Sequence, residues 1–433
     1  PDEIGYDRIR DAFRSKSEIA YQGAVQRLDN KRTHLKQNPK PADNAVVPEF
    51  KRMPPAVWIG PSALTIPCPV TDMEQLSNRL SKVFSDYPEL FNHCVKVYQK
   101  RVDYYRLTSE GQKILQPDTV FHITARASIK TDGNEVKTEY YRLHVGGIND
   151  LPSEDALIGE LHRFAEYMQQ KNRAKAVEDL YIGPVLYEDD AAMELLAEKI
   201  ADYSHSYWIS IRNQSDRKHR YLGKQVFPPA LSVCQLGNDS VYNGVKLLGY
   251  RQVDADGTKP KTLPIIEKGI LKHMLTGRTP SLGCPASTGN EHFDGLSRTL
   301  ETRYTAGVFR VTSNRPVPYS KLYKRFLKAA KKAGLEHTYI IRKNRTSPYA
   351  LIRVDLSTGK EELVEGNYNS PSREQFKRMH AISKEENVYN LDPAGGKGLG
   401  IISPKAILLE DMELDITPSR ARHIDEAFYE LRH

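Results

Sequence analysis

The sequence predicts an α+β fold with antiparallel sheets and a few long helices. Apolar residues recur at helical spacing in residues 6–37 and 153–178. In residues 93–145 the apolar period changes to two, and Val, Ile, Thr and Tyr are frequent, which is typical of an antiparallel strand meander. Beyond residue 222, short apolar segments separated by Gly and Pro predict further strands.

Composition and charge narrow the class of protein. The 433 residues, 39% hydrophobic and 27% charged, are typical of a globular chain with two or three domains. We find no apolar run that reaches the roughly 18 residues of a membrane span. The net charge of +8 comes from 63 basic and 55 acidic residues that are interspersed, so we expect no nucleic-acid partner. Four widely separated cysteines contain no CxxC pair, which argues against a zinc ribbon.

The first part of the chain divides into helices and a meander. After the helix over residues 6–37, a Pro-rich extended connection leads to residue 67. Thr71 or Asp72 is the predicted cap of a second helix that ends at Val83. Turns at residues 109–111 and 131–134 separate the meander strands, and Ser153 is the predicted cap of the helix over 153–178.

The stretch from Gly183 to Tyr203 is a predicted strand that leads into a helix. The apolar run Val185–Tyr187 is followed by Glu188, Asp189 and Asp190, acids that the helix macrodipole favours at a helix N-terminus. The amphipathic pattern of the helix consists of Ala192, Leu195, Leu196 and Ile200.

The remainder is predicted to be rich in strands. Asp256–Gly257 is a predicted hairpin turn, and Lys268–Gly269 is a second tight turn. We expect one helix at about residues 319–333, and strands at 338–342, 350–354, 362–364 and 405–416.

Several of these segments resemble the TldD/PmbA family of peptidase-like "modulator of DNA gyrase" proteins. Ala191, Ala192, Leu195 and Leu196 are similar to the family's lead-in to a zinc motif, HExxxH. Leu222–Val233 is similar to a GKxVxPxxLSV-like run, and Gly249–Arg278 matches the strongest family signature. Ser287, Thr288, Gly289 and Asn290 resemble the family's STGN run.

The zinc motif itself is degenerate in this chain. A peptidase of the HExxxH kind needs two imidazoles on one metal and a nearby carboxylate as general base. Here Glu198 is present, but the two histidine positions hold Ala197 and Asp202. The resemblance also implies a third ligand, a cysteine in a Gly-rich loop; Gly395 and Gly396 are kept in that loop, but no cysteine follows Cys284.

The resemblance implies two lobes, a helical and meander region over residues 1–180 and a β-rich domain over 181–433, with a further N-terminal family domain missing or cut away. It also implies a homodimer, or a heterodimer with a zinc-bearing paralogue, that encloses a peptide cavity. We therefore expect a non-catalytic subunit of a complex that processes small or unfolded peptides, with Glu198 inactive and no cofactor. The expected peptide-binding residues are Ser287, Thr288, Gly289, Asn290, Gly395 and Gly396.

Two alternatives remain open at this point. An active zinc peptidase with a rearranged site would use Asp202, His205 and His292, whereas a peptide-binding scaffold would have no proteolytic role. The compartment is not fixed by the sequence. Most of the family is cytoplasmic, but a chain that begins at Pro1 is also consistent with processing during export.

Overall fold

The computed structural model of the chain describes residues 5–37, 52–67, 69–130, 136–204, 218–278, 284, 286–293, 302–304, 306–347, 349–392 and 398–417. The predicted site residues His205, Gly395 and Gly396 lie outside these ranges, as does the predicted turn at 131–134. The chain divides into two compact units, residues 1–49 with 208–216 and residues 50–207 with 217–433. The prediction of domains that meet near residue 180 stays a prediction.

The first unit contains helix α1 (Tyr6–Gln37), which confirms the predicted helix over residues 6–37. Ion pairs one turn apart join Arg10 to Asp7 at 2.9 Å and Arg32 to Asp29 at 3.6 Å. Exposed pairs of this kind stabilise a helix by a few tenths of a kcal/mol each. Among the described helices, none is long and apolar enough to span a membrane.

The described part of the second unit contains both helices and sheets, which confirms the α+β fold. Its helices are α2 (Val70–Ser81), α3 (Glu154–Arg173), α4 (Asp190–Ser204), α5 (Tyr319–Lys332) and α6 (Arg373–Lys377). The strands up to α4 are β1 (Val57–Ile59), β2 (Leu90–Leu107), β3 (Lys113–Lys130), β4 (Val136–Val145), β5 (Lys175–Ala176) and β6 (Asp179–Asp189). The strands after α4 are β7 (Leu231–Gln235), β8 (Val241–Tyr242), β9 (Val245–Lys246), β10 (Leu263–Glu267), β11 (Ile270–Leu271), β12 (Glu291–Phe293), β13 (Thr302–Tyr304), β14 (Val308–Ser313), β15 (His337–Lys343), β16 (Thr346–Ser347), β17 (Ala350–Asp355), β18 (Glu361–Glu365), β19 (Met379–Ile382), β20 (Glu386–Leu391), β21 (Leu399–Pro404) and β22 (Ala406–Ile416).

The first sheet is the predicted meander with two additions. Strand β3 pairs antiparallel with β2 and β4, and β1 and β16 extend this sheet. Helices α2 and α3 bury their apolar stripes on it, so that Leu80, Phe121 and Phe164 lie in one hydrophobic cluster. Ser153 accepts a hydrogen bond from the backbone N–H of Ala156 and caps α3, as the sequence predicts.

A second sheet has the strand order β19-β22-β6-β15-β17-β18-β5 among the described residues, with β6 near its centre. Val185 and Tyr187 of β6 face a core that includes α4, whereas Leu186 faces Leu322 and Phe326 of α5 on the opposite side. Both faces of this strand are therefore covered, which explains why its apolar run is continuous rather than alternating.

A third sheet, in the order β11-β10-β7-β14-β21-β20, packs across the same core from the other side of α4. Three glycines make its close backbone contacts feasible. The N–H of Gly400 donates to the carbonyl oxygen of Gly307 at 3.0 Å, and a Cβ atom on Gly249 would lie only 1.4 Å from that same oxygen. The Gly-rich segments of the sequence thus allow three chain segments to meet without side chains between them.

Three local predictions need correction. Helix α2 begins at Val70 with Pro69 as its N-cap, and neither Thr71 nor Asp72 caps it. The helix predicted over 153–178 ends at Arg173, because residues 175–176 pair with β18. The Asp256–Gly257 turn joins no pair of strands, whereas the turn at Lys268–Gly269 does form a hairpin, between β10 and β11.

The Asp256–Gly257 turn is closed by a side chain instead of by strands. The carboxylate of Asp254 accepts hydrogen bonds from the backbone N–H groups of Asp256 and Thr258, both at 2.9 Å. This is the Asx geometry that a short acidic side chain gives to a turn. The segment from Asp254 to Thr258 is therefore a loop closed by its own side chain.

Candidate functional site

Helix α4 is fixed in place by a sharp turn and by its buried face. Asp189, the last residue of β6, has a φ of 55°, which turns the chain so that α4 starts at the next residue. The predicted apolar residues of the helix are all buried in the main core: Ala192, Leu195, Leu196 and Ile200. Ala197 also packs against this core. The outward face of α4 therefore carries Glu198 and Asp202.

Glu198 lies on the rim of a cavity and is engaged with protein groups. Its Oε1 atom accepts from the Lys199 ammonium at 2.8 Å, and its Oε2 atom accepts from the Ser370 hydroxyl at 3.0 Å. The Glu198 side chain is still 53% exposed. It can therefore meet a ligand, but its lone pairs are shared with two neighbours.

Asp202 is held by an arginine from α6. The Arg373 Nε atom lies 3.1 Å from Asp202 Oδ2, and the Arg373 guanidinium lies 5.3 Å from the centroid of the Tyr203 ring. Arg373 is the first residue of α6, whose capping box joins Ser372 and Gln375. Because α6 is ordered by its own cap, it presents Arg373 to α4 in a fixed position.

The described residues of α4 do not fit the zinc site that the family implies. Zinc takes thiolate, imidazole and carboxylate ligands, usually three or four from the protein. Ala197 has no donor atom, and the cation of Arg373 already occupies the Asp202 carboxylate. Within the described ranges, no group of three His, Cys, Asp or Glu side chains is placed to hold a metal ion.

The predicted peptide-binding run Ser287–Asn290 is largely internal. Asn290 exchanges hydrogen bonds with Gln235 at 2.6 and 3.1 Å and accepts from the Thr288 hydroxyl at 2.7 Å. Thr288 is tied through backbone and hydroxyl groups to Thr276. Leu275, the residue before Thr276, donates its N–H to the carbonyl oxygen of Ser204 at the end of α4, at 2.6 Å. Hydrogen bonds through residues 275 and 276 thus connect this run to the C-terminal end of α4.

His292, a residue of the alternative rearranged site, lies on β12 and is 3% exposed. Strand β12 pairs with β13, which places His292 opposite Arg303. Asp202 is on the outward face of α4 with Arg373 as its partner. The described residues give no arrangement in which His292 and Asp202 share a ligand.

The sequence analysis missed a buried acidic cluster beside this loop. Asp256 and Glu291 both face Arg106 of β2, at 2.9 and 3.8 Å. Burial, followed by a hydrogen bond with Glu291, raises the pKa of Asp256 to about 8, and burial raises the pKa of Asp254 to about 7. A loop and a distant strand supply these groups, so sequence spacing contained no signal for them.

A polar cavity of about 480 Å³ opens at the N-terminal end of α4. It lies at the carboxyl ends of the parallel strands β6 and β15, where Asp189, Asp190 and Lys343 are found. Asp190 accepts a hydrogen bond from the backbone N–H of Arg345 at 2.7 Å. Burial nevertheless raises the pKa of Asp190 to about 6, so desolvation outweighs the helix dipole that favours the charged form.

A second cavity, of about 320 Å³, opens beside Glu198 between α3, α4 and the segment 363–371. Its aromatic lining consists of Tyr167, Tyr187, Tyr349 and Tyr368. We call this cavity the tyrosine pocket. Four separate segments supply these rings, so the sequence pattern did not indicate it.

The second unit combines layered sheets with helices in a mixed α/β fold. Residues 182–316 match the model of the PmbA/TldA metallopeptidase C-terminal domain. This match confirms, for residues 182–316, the resemblance to the TldD/PmbA family that the sequence indicated.

Solved structures show the same fold over most of the chain. TldE from Thermococcus kodakarensis is 12% identical, with a TM-score of 0.54 over 88% of this chain and 81% of that chain. A candidate modulator of a DNA gyrase from Thermotoga maritima is 14% identical, with a TM-score of 0.56 over 85% and 78%. A candidate modulator of DNA gyrase from Bacteroides thetaiotaomicron is also 14% identical, with a TM-score of 0.56 over 88% and 80%. No curated protein matches the sequence.

Proposed function

We propose that this chain is a subunit without a zinc site in a TldD/PmbA-type peptidase assembly. In this proposal it helps to enclose a small or unfolded peptide, and a zinc-bearing paralogue carries out the cleavage. The observation that carries the proposal is the pairing of Asp202 with Arg373 on a helix where Ala197 replaces the first histidine.

The Asp202–Arg373 pair opposes metal binding in two ways. A carboxylate that bound a divalent cation would lose its ion pair, and the guanidinium of Arg373 would then repel the metal at close range. Arginine remains protonated at any physiological pH, so this repulsion cannot be relieved by titration. Asp202 is therefore a poor replacement for a histidine ligand.

The family resemblance supports the role of a partner subunit. It implies two-component systems in which one subunit carries the zinc and the other does not, although both are needed. The fold of this chain is shared with TldE from Thermococcus kodakarensis over 88% of its length, which supports a similar role in an assembly.

The run Ser287–Asn290 and the glycines Gly395 and Gly396 remain part of this proposal as peptide contacts. Because Thr288 and Asn290 are buried in their own network, replacing them would disturb the loop as well as any peptide contact. Ser287 is only partly buried, and its hydroxyl accepts from the N–H of Gly289 at 3.1 Å. Ser287→Ala is therefore the cleaner variant for a peptide-binding assay.

Zinc stoichiometry tests the proposal. The full-length protein would be dialysed against trace zinc and analysed for metal, and its oligomeric state would be measured in the same sample. We expect well below 0.1 zinc per folded chain, and cleavage of an unfolded peptide only after a zinc-bearing paralogue is added. About one zinc per chain, or cleavage by this chain alone that a chelator abolishes, would overturn the proposal.

A further inference from the structure

The tyrosine pocket has aromatic walls and a polar interior. Tyr167 comes from α3 and Tyr187 from β6, while Tyr349 and Tyr368 lie near β17 and β18. The rings of Tyr349 and Tyr368 meet edge to face, with their centroids 6.0 Å apart. A cavity of about 320 Å³ with such walls has room for one amino-acid side chain.

Two phenol groups in this pocket have no hydrogen-bond partner within the described residues. The hydroxyl groups of Tyr187 and Tyr167 are both inaccessible to solvent and unsatisfied. Tyr187 is 3% exposed, and burial raises its pKa, so that its hydroxyl remains protonated. A buried hydroxyl without a partner is unfavourable. Because Tyr167 and Tyr187 line the pocket, a ligand that enters it could supply a partner once the two rings move.

The polar lining of the pocket includes two carboxylates. Glu198 and Glu365 line it, and each phenol oxygen can also accept. Glu365 is already paired with Lys137 at 2.6 Å, whereas Glu198 is 53% exposed and can meet a ligand. Lys171 is the ammonium group among the lining residues, and it forms an ion pair with Glu139. A ligand that brings several donors and a positive charge would complement this lining.

We propose that the tyrosine pocket binds the cationic side chain of an arginine or lysine from a peptide, with Glu198 as its charge partner. The source of the side chain rests on the proposed function, which makes an unfolded peptide the ligand. The glutamate that the family uses beside zinc thereby takes part in recognising substrate in this chain. A guanidinium fits especially well, since it has five N–H donors and no acceptor.

Aromatic rings contribute to the same preference. The face of a tyrosine ring attracts a cation through its quadrupole, and the attraction is stronger where water is excluded. The Tyr349 ring already has such a neighbour in this chain, because the Lys343 ammonium lies 5.0 Å from its centroid. Four tyrosines around one cavity can thus hold the alkyl part of an arginine or lysine as well as its charge.

Calorimetric titration of the full chain with blocked amino acids tests the pocket without any peptidase. The ligands are N-acetyl-arginine amide, the neutral isostere N-acetyl-citrulline amide and the apolar N-acetyl-norleucine amide. We expect saturable binding of the arginine derivative, at least tenfold weaker binding of the citrulline derivative and no binding of the norleucine derivative. Equal binding of arginine and citrulline, or no arginine binding, would overturn the proposal.

Variants locate the binding in the pocket. Glu198→Gln keeps the shape of an exposed side chain and is expected to weaken arginine binding at least tenfold. Tyr187→Phe removes one hydroxyl and is expected to weaken it severalfold. The matched controls Glu413→Gln and Tyr105→Phe change exposed residues and should bind as the parent does. Because Glu198 is half exposed, its variant gives an answer even if Tyr187→Phe folds poorly, and unchanged binding by Glu198→Gln would overturn the proposal.

Failure of this inference is distinguishable from failure of the proposed function. A chain that binds arginine through Glu198 and also holds one zinc would refute the zinc-free subunit role but leave the pocket in place. A zinc-free chain that binds no arginine derivative would refute the pocket alone.

Discussion

Asp202 and Arg373 join helices α4 and α6 through an ion pair in which Nε and Oδ2 are 3.1 Å apart. Under the proposed function, Asp202 stands where the family motif HExxxH would place its second histidine. The same contact joins the first residue of α6 to the outward face of α4. The contribution of this ion pair to the free energy of unfolding can be measured directly.

We predict that the Asp202–Arg373 pair contributes little to global stability. Its side chains are 31% and 47% exposed, and ion pairs with that exposure contribute about 0–1 kcal/mol because water screens them. A double-mutant cycle of Asp202→Ala and Arg373→Ala, followed by urea unfolding, would measure the coupling. A coupling energy well above about 1 kcal/mol would show that the pair is a structural link rather than a ligand replacement.

The elements that the sequence predicted correctly have strong local patterns. The strand and helix around Asp189 were predictable because β6 is covered on both faces and α4 has an apolar stripe at helical spacing. The cap at Ser153 was predictable because a serine before an amphipathic run satisfies free N–H groups. Helix α6 was missed, although the run from Ser372 to Gln375 has the spacing of a capping box.

The features that escaped prediction depend on tertiary contacts. Asp256–Gly257 was predicted as a hairpin turn, but the Asp254 side chain closes this loop and the turn joins no pair of strands. The partner of Asp202 lies 171 positions away in sequence, so nothing in the local pattern of α4 could identify it. The tyrosine pocket likewise forms only when α3 and the segments near β17 and β18 pack beside α4.

We predict that Asp256 makes stability depend on pH between about 4 and 8. Burial, followed by its hydrogen bond with Glu291, raises its folded-state pKa to about 8, well above the ordinary value of 3.8. The folded chain therefore holds a proton that the unfolded chain releases. The stabilisation is complete below the unfolded pKa and is lost as the pH rises through about 8.

Asp256→Asn should remove this dependence, because asparagine does not titrate. The free energy of unfolding, measured in urea at pH 5 and pH 8, should fall less steeply in the variant, by up to about 1.4 kcal/mol per pH unit. The raised pKa of Asp254 remains in both proteins, so the difference in slope reports on Asp256 and its partner Glu291. Equal slopes in parent and variant would contradict the assignment.

The last prediction concerns two glycines with opposite roles. Gly249 lies so close to the carbonyl oxygen of Gly307 that a Cβ atom would approach it to 1.4 Å, and the three nearest atoms, from Gly307 and Gly400, are all backbone. Gly159 lies inside α3, where a Cβ atom would meet only the flexible end of Arg163 at 3.7 Å. Gly249→Ala should therefore destabilise the fold by about 3 kcal/mol or more, since the third sheet must shift to admit the methyl group.

Gly159→Ala should stabilise the fold by about 0.5–1 kcal/mol, because alanine loses less conformational entropy in a helix. Thermal unfolding of both variants gives the comparison, and a Gly249→Ala protein as stable as the parent would show that the three glycine segments do not pack as closely as described.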